Sequence, residues 1–497
     1  MTGMNNLPRH AYGATDVREF DRRAIEDYGV DGLELMQRAG QAAFDRLRAN
    51  WPGVRRLIVL CGPGNNGGDG YVVATLALKA GMDVCVMAIT PVEKLGGDAQ
   101  HAYELFVADK GSVQALDFSR VAAADIIIDA MLGTGLQRPL EGQYDAAVRA
   151  VNESKRPVLA LDIPTGLNAD TGAVHGRCVI AKATVTFIAL KAGLLTGAGP
   201  GVCGSLYYHD LRVPREIFRD TAPRVEILDA GTFHAVLGKR PRTAHKGDNG
   251  HLLVIGGNLG MPGSVRMAGE GALRVGAGLV SVATRNEHAA IVNATRPELM
   301  VRGVADAAAL TELVSRASVI ALGPGLGRDE WAEALYDAAL HTSLPLVVDA
   351  DGLNILAGRT DKRGNWVLTP HPGEAARLLG CDTKSVQEDR IAAVSAIADK
   401  FNAVVVLKGA GSLVSSADVA PIFCCTQGNP GMATAGMGDV LTGVIAGLLA
   451  QGLSLDDAAK LGVYLHALAG DAAAGKQERG LVATDLMPHL RKLVNSF

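Results

Sequence analysis

The sequence predicts two α/β domains in one chain, each a mainly parallel sheet with helices on both faces. Three observations predict it. Short continuous apolar runs alternate with helical patterns, once from Leu57 onward and again from His251 onward. Between the two series, around 213–229, charged residues and two prolines (Pro214, Pro223) break the rhythm, which places a linker there. The length, 497 residues, suits two to three domains at roughly one per 150 residues.

In the first half, residues 57–60 read as a strand ending in a glycine loop, and 71–79 as the helix that follows. Residues 84–89, 126–128, 158–161 and 184–188 are further buried strands, and the stretch before about 50 has the pattern of amphipathic helices packed on that sheet. The second half repeats the rhythm at 251–255, 279–283, 319–322, 346–348 and 404–407, with a strand-like run at 367–369. It closes with helices over 439–449 and 455–474. No internal repeat relates the halves, so two unrelated domains joined in one chain is the simplest reading.

Apolar residues make up 48% of the chain but aromatics only 4%, so large cores must be built from Ala, Val, Leu and Gly. The sixty glycines sit singly or in short motifs between apolar runs, which points to tight loops and not to disorder. Net charge is −4 and no basic block occurs, which argues against nucleic acid as a partner. The seven cysteines form no CxxC, as expected of reduced core thiols in a reducing compartment. The start lacks an apolar run of signal-peptide type, and no stretch of about eighteen uninterrupted apolar residues occurs. A soluble, cytoplasmic homo-oligomer without a membrane partner is expected.

Chemistry in the second half begins with Gly436-Met437-Gly438-Asp439, just before an apolar run at 440–449. Such a tight turn into a helix aims several free N–H groups at one point, and a carboxylate beside that anion-attracting end can act as a base. An Asp that merely caps the helix is the plainer alternative. Lys408-Gly409-Ala410-Gly411-Ser412 follows the run at 404–407. At the carboxyl edge of a parallel sheet, its N–H groups, Lys408 and the Ser412 hydroxyl suit nucleotide phosphates. No GxxxxGK[ST] loop is present. His371-Pro372-Gly373-Glu374 offers an imidazole, and equally an ordinary Pro-initiated helix start. Gly323-Pro324-Gly325-Leu326-Gly327 lacks the spacing of a dinucleotide fingerprint. Asp349-Ala350-Asp351, ending another strand, suggests Mg²⁺ or polar ligand contacts, with helix capping by Asp351 as the alternative. Five such motifs at one sheet edge favour a site over coincidence.

Taken in order, KGDNG (246–250), GPGLG, DADGLN, HPGE, KGAGS and GMGD resemble the carbohydrate-kinase-like domain of the ADP-dependent NAD(P)H-hydrate dehydratases, within the ribokinase-like superfamily, over about 226–495. The resemblance implies that Lys408, Gly409, Ala410, Gly411, Ser412 and Gly438 hold the adenine nucleotide, while Ser264, Gly325, His371 and Asp439 face the substrate. Ser264 stands where the family often has Ala, and Met437 where many relatives have Thr. The implied reaction uses ADP as co-substrate with Mg²⁺: Asp439 as base lets the hydrate's hydroxyl take the terminal phosphoryl group, and phosphate then leaves.

In the first half, the ten residues from Cys61 to Gly70 (CGPGNNGGDG) join the first strand to the next helix. Five glycines with two Asn and an Asp are expected to allow positive φ and to bring N–H groups close to a phosphate. Asp129, before Gly133-Thr134-Gly135, and Asp162, opening DIPTG, are each a strand-end cap or a site residue. NNGGDG, DAMLGTG and DIPTG together resemble the NAD(P)H-hydrate epimerase domain over about 10–220. By that resemblance K⁺ is held by Asn66, Asp129 and Thr165, the last where relatives often carry Ser. Asn65, Asn66, Gly67, Gly68 and Asp69, with Gly133, Thr134, Gly135, Leu136, Gln137, Arg138 and Pro139, grip the phosphates and ribose. Asp162 contacts the substrate and shuttles the proton as the C6 centre inverts. Lys191 is a further candidate, set against a solvated strand-end lysine.

The two resemblances imply a Rossmann-like three-layer α/β/α domain at 1–222 and a ribokinase-like α/β domain at 226–497, acting on NADH hydrate and NADPH hydrate. A ribokinase-like vitamin-alcohol kinase fused to a nucleotide-binding domain would use the same Asp, but leaves the epimerase-like half unexplained. A non-catalytic nucleotide binder has no need of Asp69, Asp129 and Asp162 together. A dehydrogenase is disfavoured by the missing GxGxxG and its downstream acid.

Overall fold

Strands that are apolar at every position must be covered on both faces, and period-2 alternation then sends neighbouring side chains into different cores. The first half shows this directly. Leu57, Val59, Ile126 and Ile128 belong to one buried cluster, whereas Ile58, Leu60 and Ile127 belong to another, so helices cover both faces and three layers result.

The computed structural model describes residues 7–136, 138–233, 236–294, 296–417 and 419–496 and divides into two units, 1–226 and 227–497. In chain order the first unit holds β1 (His10–Tyr12), β2 (Arg56–Cys61), β3 (Asp83–Ala88), β4 (Val113–Gln114), β5 (Ile126–Ala130), β6 (Val158–Leu161), β7 (Ala183–Phe187), β8 (Leu190–Lys191) and β9 (Ser205–His209). Its main sheet has the order β4-β3-β2-β5-β6-β7-β9, every pair parallel. The amphipathic stretch before 50 forms helices Ala14–Arg22 and Gly32–Asn50.

The stretch read as an irregular linker is ordered. It contains a 3₁₀ turn, Arg215–Phe218, and β10 (Val225–Ile227), whose Val225 and Glu226 pair antiparallel with Ala11 and His10 of β1. Strands this short carry too few residues for a pattern to show.

The second unit continues with β11 (His251–Ile255), β12 (Leu279–Thr284), β13 (Met300–Gly303), β14 (Val319–Leu322), β15 (Leu346–Val348), β16 (Trp366–Leu368), β17 (Val404–Leu407), β18 (Ser412–Ser416) and β19 (Val419–Cys425). The order is β13-β12-β11-β14-β15-β16-β17-β18-β19, parallel as far as β17 and antiparallel beyond it. Against this sheet, helices Pro262–Val275 and Met437–Ala450 pack backbone to backbone. A Cβ on Gly443 would lie 1.8 Å from the Ala268 carbonyl oxygen, so the contact admits only glycine there. This close pairing brings Ser264 and Asp439, each in the first turn of its helix, to the same end. No helix among the described residues is long and apolar enough to cross a membrane.

Candidate active sites

The first site lies where β2, β5 and β6 end. The helix after β2 begins at Asn65, not at 71, so most of the expected glycine loop is helical. None of Gly62, Gly64, Gly67, Gly68 and Gly70 has positive φ, which corrects the expectation for this loop. The glycines serve close approach instead. A Cβ on Gly62 would lie 1.7 Å from the Met131 carbonyl oxygen, and one on Gly67 2.0 Å from that of Gly62.

Asp129 is buried at the end of β5. Its carboxylate accepts from Thr165 Oγ1 at 2.7 Å, Thr165 N at 2.8 Å and Met131 N at 3.3 Å, all neutral donors. Burial pushes it up to about 6, against the lowering effect of those bonds. Nearby, both polar atoms of the buried Asn66 side chain lack a hydrogen-bond partner among the described residues. A Cβ on Gly133 would sit 3.5 Å from Asn66 Cβ and 3.7 Å from Asp162 Oδ2, so Asn66 and Asp162 meet at this loop. The 132–141 loop also lines a cavity of about 380 Å³, with Gly133, Gly135, Leu136, Arg138 and Pro139 on its wall. Thr134 sits in the same loop; Gln137 lies outside the described residues.

Asp162 follows β6 at φ 63° and is ion-paired with Lys191 Nζ, also accepting from Thr186 Oγ1 at 3.2 Å and Phe187 N at 3.3 Å. Lys191 is 1% exposed and also donates to Thr186 Oγ1 and the Phe187 carbonyl. The solvated-lysine alternative is therefore overturned. Burial and the Asp162 charge push Asp69 well above the carboxylate range. Asp21, in helix Ala14–Arg22, belongs to the same group: burial lifts it to about 6, with Lys191 opposing and Asp162 adding. Sequence reading missed Asp21, because one acid on an amphipathic helix carries no signal.

In the second unit the expected motifs do converge at the carboxyl ends of β14 to β17. Lys408 Nζ lies 2.6 Å from Asp349 Oδ1 and 3.7 Å from Glu374, and Thr442 donates to Asp349 Oδ2 at 2.8 Å. Burial alone would raise Asp349, but the Lys408 charge and these hydrogen bonds hold it below the usual carboxylate range. Burial lifts Glu374 to about 7. Asp439 is lifted to about 6, by burial first and the Asp349 charge second, while a hydrogen bond from Ser264 and the Lys408 charge oppose the rise. The Gly438 Cα faces Asp349 Oδ2 and Lys408 Nζ, each 3.4 Å from where a Cβ would be, and the Gly325 backbone passes beside Ser264.

His371 caps the helix Pro372–Leu379: its Nδ1 accepts from Gly373 N and Glu374 N, while its Nε2 lies 3.4 Å from Oε1 of buried Glu374. Burial, then the Lys408 and Arg377 charges, lower its pKa, so the ring is neutral. In the KGAGS turn, Ser412 Oγ is folded back onto Gly409, accepting from its N–H and donating to its carbonyl. Buried Arg390, which sequence reading missed, donates to the Leu407 and Lys408 carbonyls and braces this turn from behind.

Asp349 and Asp351 both make hydrogen bonds within the protein. Asp349 is taken by Lys408 and Thr442, and Asp351 accepts from Gly327 N and Asn354 Nδ2. No cluster of three or more metal-binding His, Cys, Asp or Glu exists among the described residues. The K⁺ set is compatible in its chemistry: Asn66 Oδ1 is unpartnered among the described residues and buried Asp129 accepts only from neutral donors, so hard oxygens without a facing cation are available.

Comparison with known proteins decides the family. A family model described as NAD(P)H-hydrate dehydratase matches residues 252–492, and one described as YjeF-related protein N-terminus matches 32–193. A bifunctional NAD(P)H-hydrate repair enzyme of Coxiella burnetii is 47% identical over 485 residues, covering 97% of this chain and 99% of its own. The chain belongs to the family of bifunctional NAD(P)H-hydrate repair enzymes. A second member, from Escherichia coli, is 42% identical over 99% of this chain and 95% of its own. Among solved structures, a ribokinase-like superfamily protein of Enterococcus faecalis is 31% identical with a TM-score of 0.51, covering 55% of this chain and 95% of its own. The family thus spans both halves, and each half carries a cluster of buried and part-buried acids beside a lysine: Asp21, Asp69 and Asp162 about buried Lys191, and Asp349, Glu374 and Asp439 about part-buried Lys408.

Proposed function

We propose that the chain restores hydrated nicotinamide cofactor at two separate sites. Residues 1–222 interconvert the R and S hydrates of NADH and NADPH, and residues 226–497 dehydrate the S form while ADP becomes AMP and phosphate. The observation that carries this reading is Asp439. It is a carboxylate at a helix N-terminus, oriented by Ser264, close to Lys408, and lifted to about 6 so that it is ionised at neutral pH yet basic enough to accept a proton.

In the dehydratase site Asp439 takes the proton of the hydrate's hydroxyl, whose oxygen attacks the terminal phosphorus of ADP as AMP leaves. The ring nitrogen's lone pair then expels phosphate, and loss of a ring proton restores the reduced nicotinamide. Lys408 to Ser412 and Gly438 hold the nucleotide, and the N–H groups of Met437–Ala450 balance the charge that develops on the phosphoryl group. Ser264, Gly325 and His371 orient the substrate. Mg²⁺ would enter with the nucleotide and would offset the negative charge of its phosphates.

In the epimerase site Asp162, held by Lys191, shuttles the proton as the C6 centre inverts, and Asn66, Asp129 and Thr165 would hold K⁺, which would supply fixed positive charge there. Incubating the protein with mixed hydrate epimers and ADP or ATP, with the epimers followed by chromatography and NADH by absorbance, tests the whole scheme. No nucleotide-dependent NADH formation would sink it.

A further inference from the structure

Helices Pro262–Val275, Met437–Ala450 and Leu486–Leu493 of the second unit all end around a cavity of about 750 Å³. The first two begin at Ser264 and Asp439, so roughly 17 Å of helix, at 1.5 Å per residue, separates the cavity from the active site. It lies at the opposite edge of the sheet, and none of its residues takes part in the chemistry above.

The lining is basic. Lys239, Arg240, Arg274, Arg296 and Arg491 face only Glu270 and Glu298, an excess of positive charge in a chain whose net charge is −4. Buried Glu270 is shared by two guanidinium groups, Arg274 at 3.1 Å and Arg296 at 2.5 Å, so one carboxylate balances two cations. Glu298 is more than half exposed and reaches Arg296 only at 3.9 Å. Arg296 Nε is buried with no hydrogen-bond partner among the described residues, and buried donors are rarely left so. Cations at helix C-termini often do no more than complement the helix dipole. That explains Arg274 and Arg491, which lie in last turns, and Arg240, which caps the Gly276 carbonyl and Gln451. It does not explain the orphaned Arg296 Nε, which belongs to no helix, nor Lys239.

We propose that this cavity is a second ligand site, built for a small molecule carrying two or more phosphate-type oxyanion charges. Guanidinium groups match such oxyanions in paired hydrogen bonds, and the volume lies within the range of small-molecule sites. The ligand's source is either a nucleotide, whose base adds contacts to Leu237 and Val494, or a free polyphosphate.

The test is calorimetric titration of the full chain with inorganic tripolyphosphate and, separately, with ADP, comparing the native protein with Lys239→Glu/Arg491→Glu. The expected result is a binding event that weakens at least ~10-fold in the variant, for the loss of two charged contacts, while KM for ADP in dehydration stays unchanged. If only ADP shows the loss, the ligand is a nucleotide; if only tripolyphosphate does, the base is not read. Unchanged affinity for both ligands in the folded variant overturns the proposal. Should the charge reversal fail to fold, Lys239→Gln/Arg491→Gln decides by the same criterion.

Discussion

Lys408 Nζ and Asp349 Oδ1 form a part-buried ion pair at 2.6 Å in which the carboxylate is fully buried, so the lysine of the KGAGS turn is anchored on an acid of the site. Its role in this arrangement is to fix the charge state of a group of acids: it keeps Asp349 ionised, faces Glu374 at 3.7 Å and opposes the rise of Asp439. Removing one partner of such a pair leaves a buried charge without compensation. Lys408→Met is therefore expected to lower stability by about 3 kcal/mol, and Lys408→Met/Asp349→Asn to recover much of that loss. Urea unfolding of the native protein, both single variants and the double variant checks this. Additive losses would show that the two groups are not coupled.

The same charges predict a pH profile. Asp439 must be ionised to act as a base, and it is lifted to about 6, so dehydration should rise with pH through a limb near 6 and be lost below it. Asp349 contributes to that lift, and Lys408 opposes it. Asp349→Asn removes the first effect and frees Lys408 to exert more of the second, so both changes move the limb to lower pH. A limb that stays put or moves up in kcat/KM for the hydrate would contradict this assignment of the base.

Much of this was legible in the sequence, for identifiable reasons. Buried strands such as β2, β5, β14 and β17 are continuous apolar runs, and parallel sheets make such runs long enough to notice. The hairpin β18–β19 was not legible, because Ser412–Ser416 and Val419–Cys425 mix polar and apolar residues at a sheet edge. The helix start at Asn65 was hidden because glycines normally argue against a helix, whereas here they admit the Met131 backbone. Within the sites, strand-end residues such as Asp162 and Lys408 could be placed from local pattern alone. Their partners could not: Lys191 meets Asp162 across 29 positions, Lys408 meets Asp349 across 59, and Asp21 joins from another element altogether. Chain distance of that kind leaves no trace in spacing.

The proposed K⁺ site predicts a cation requirement for epimer exchange. Asn66 Oδ1 has no donor among the described residues and Asp129 has only neutral ones, so the first site is short of positive charge where Thr165 also offers a hydroxyl. Hard oxygen ligands suit K⁺ over a thiophilic metal. Exchange between R and S hydrates should be faster in K⁺ than in choline buffer, and Asn66→Leu should abolish the difference. A crystal structure in K⁺ buffer with no ion-like density between Asn66, Asp129 and Thr165 would count against the site.

The two sites should also be separable. No residue placed in one takes part in the other, and the acid clusters are organised by different lysines, Lys191 and Lys408. Asp162→Asn keeps hydrogen-bonding capacity beside Lys191 but removes the proton carrier, so exchange of the epimers should fall by at least ~10²-fold while dehydration of purified S hydrate is retained. Asp439→Asn should do the reverse: dehydration falls by a similar factor, nucleotide binding persists, and the epimers still equilibrate. Following each epimer by chromatography in both variants reads the two rates independently. If Asp162→Asn abolished dehydration of S hydrate in protein that remained folded, the reacting centre would have to draw on both sets of acids. A single composite site would then replace the pair, and the buried Lys191–Asp162 contact would become part of the dehydration machinery.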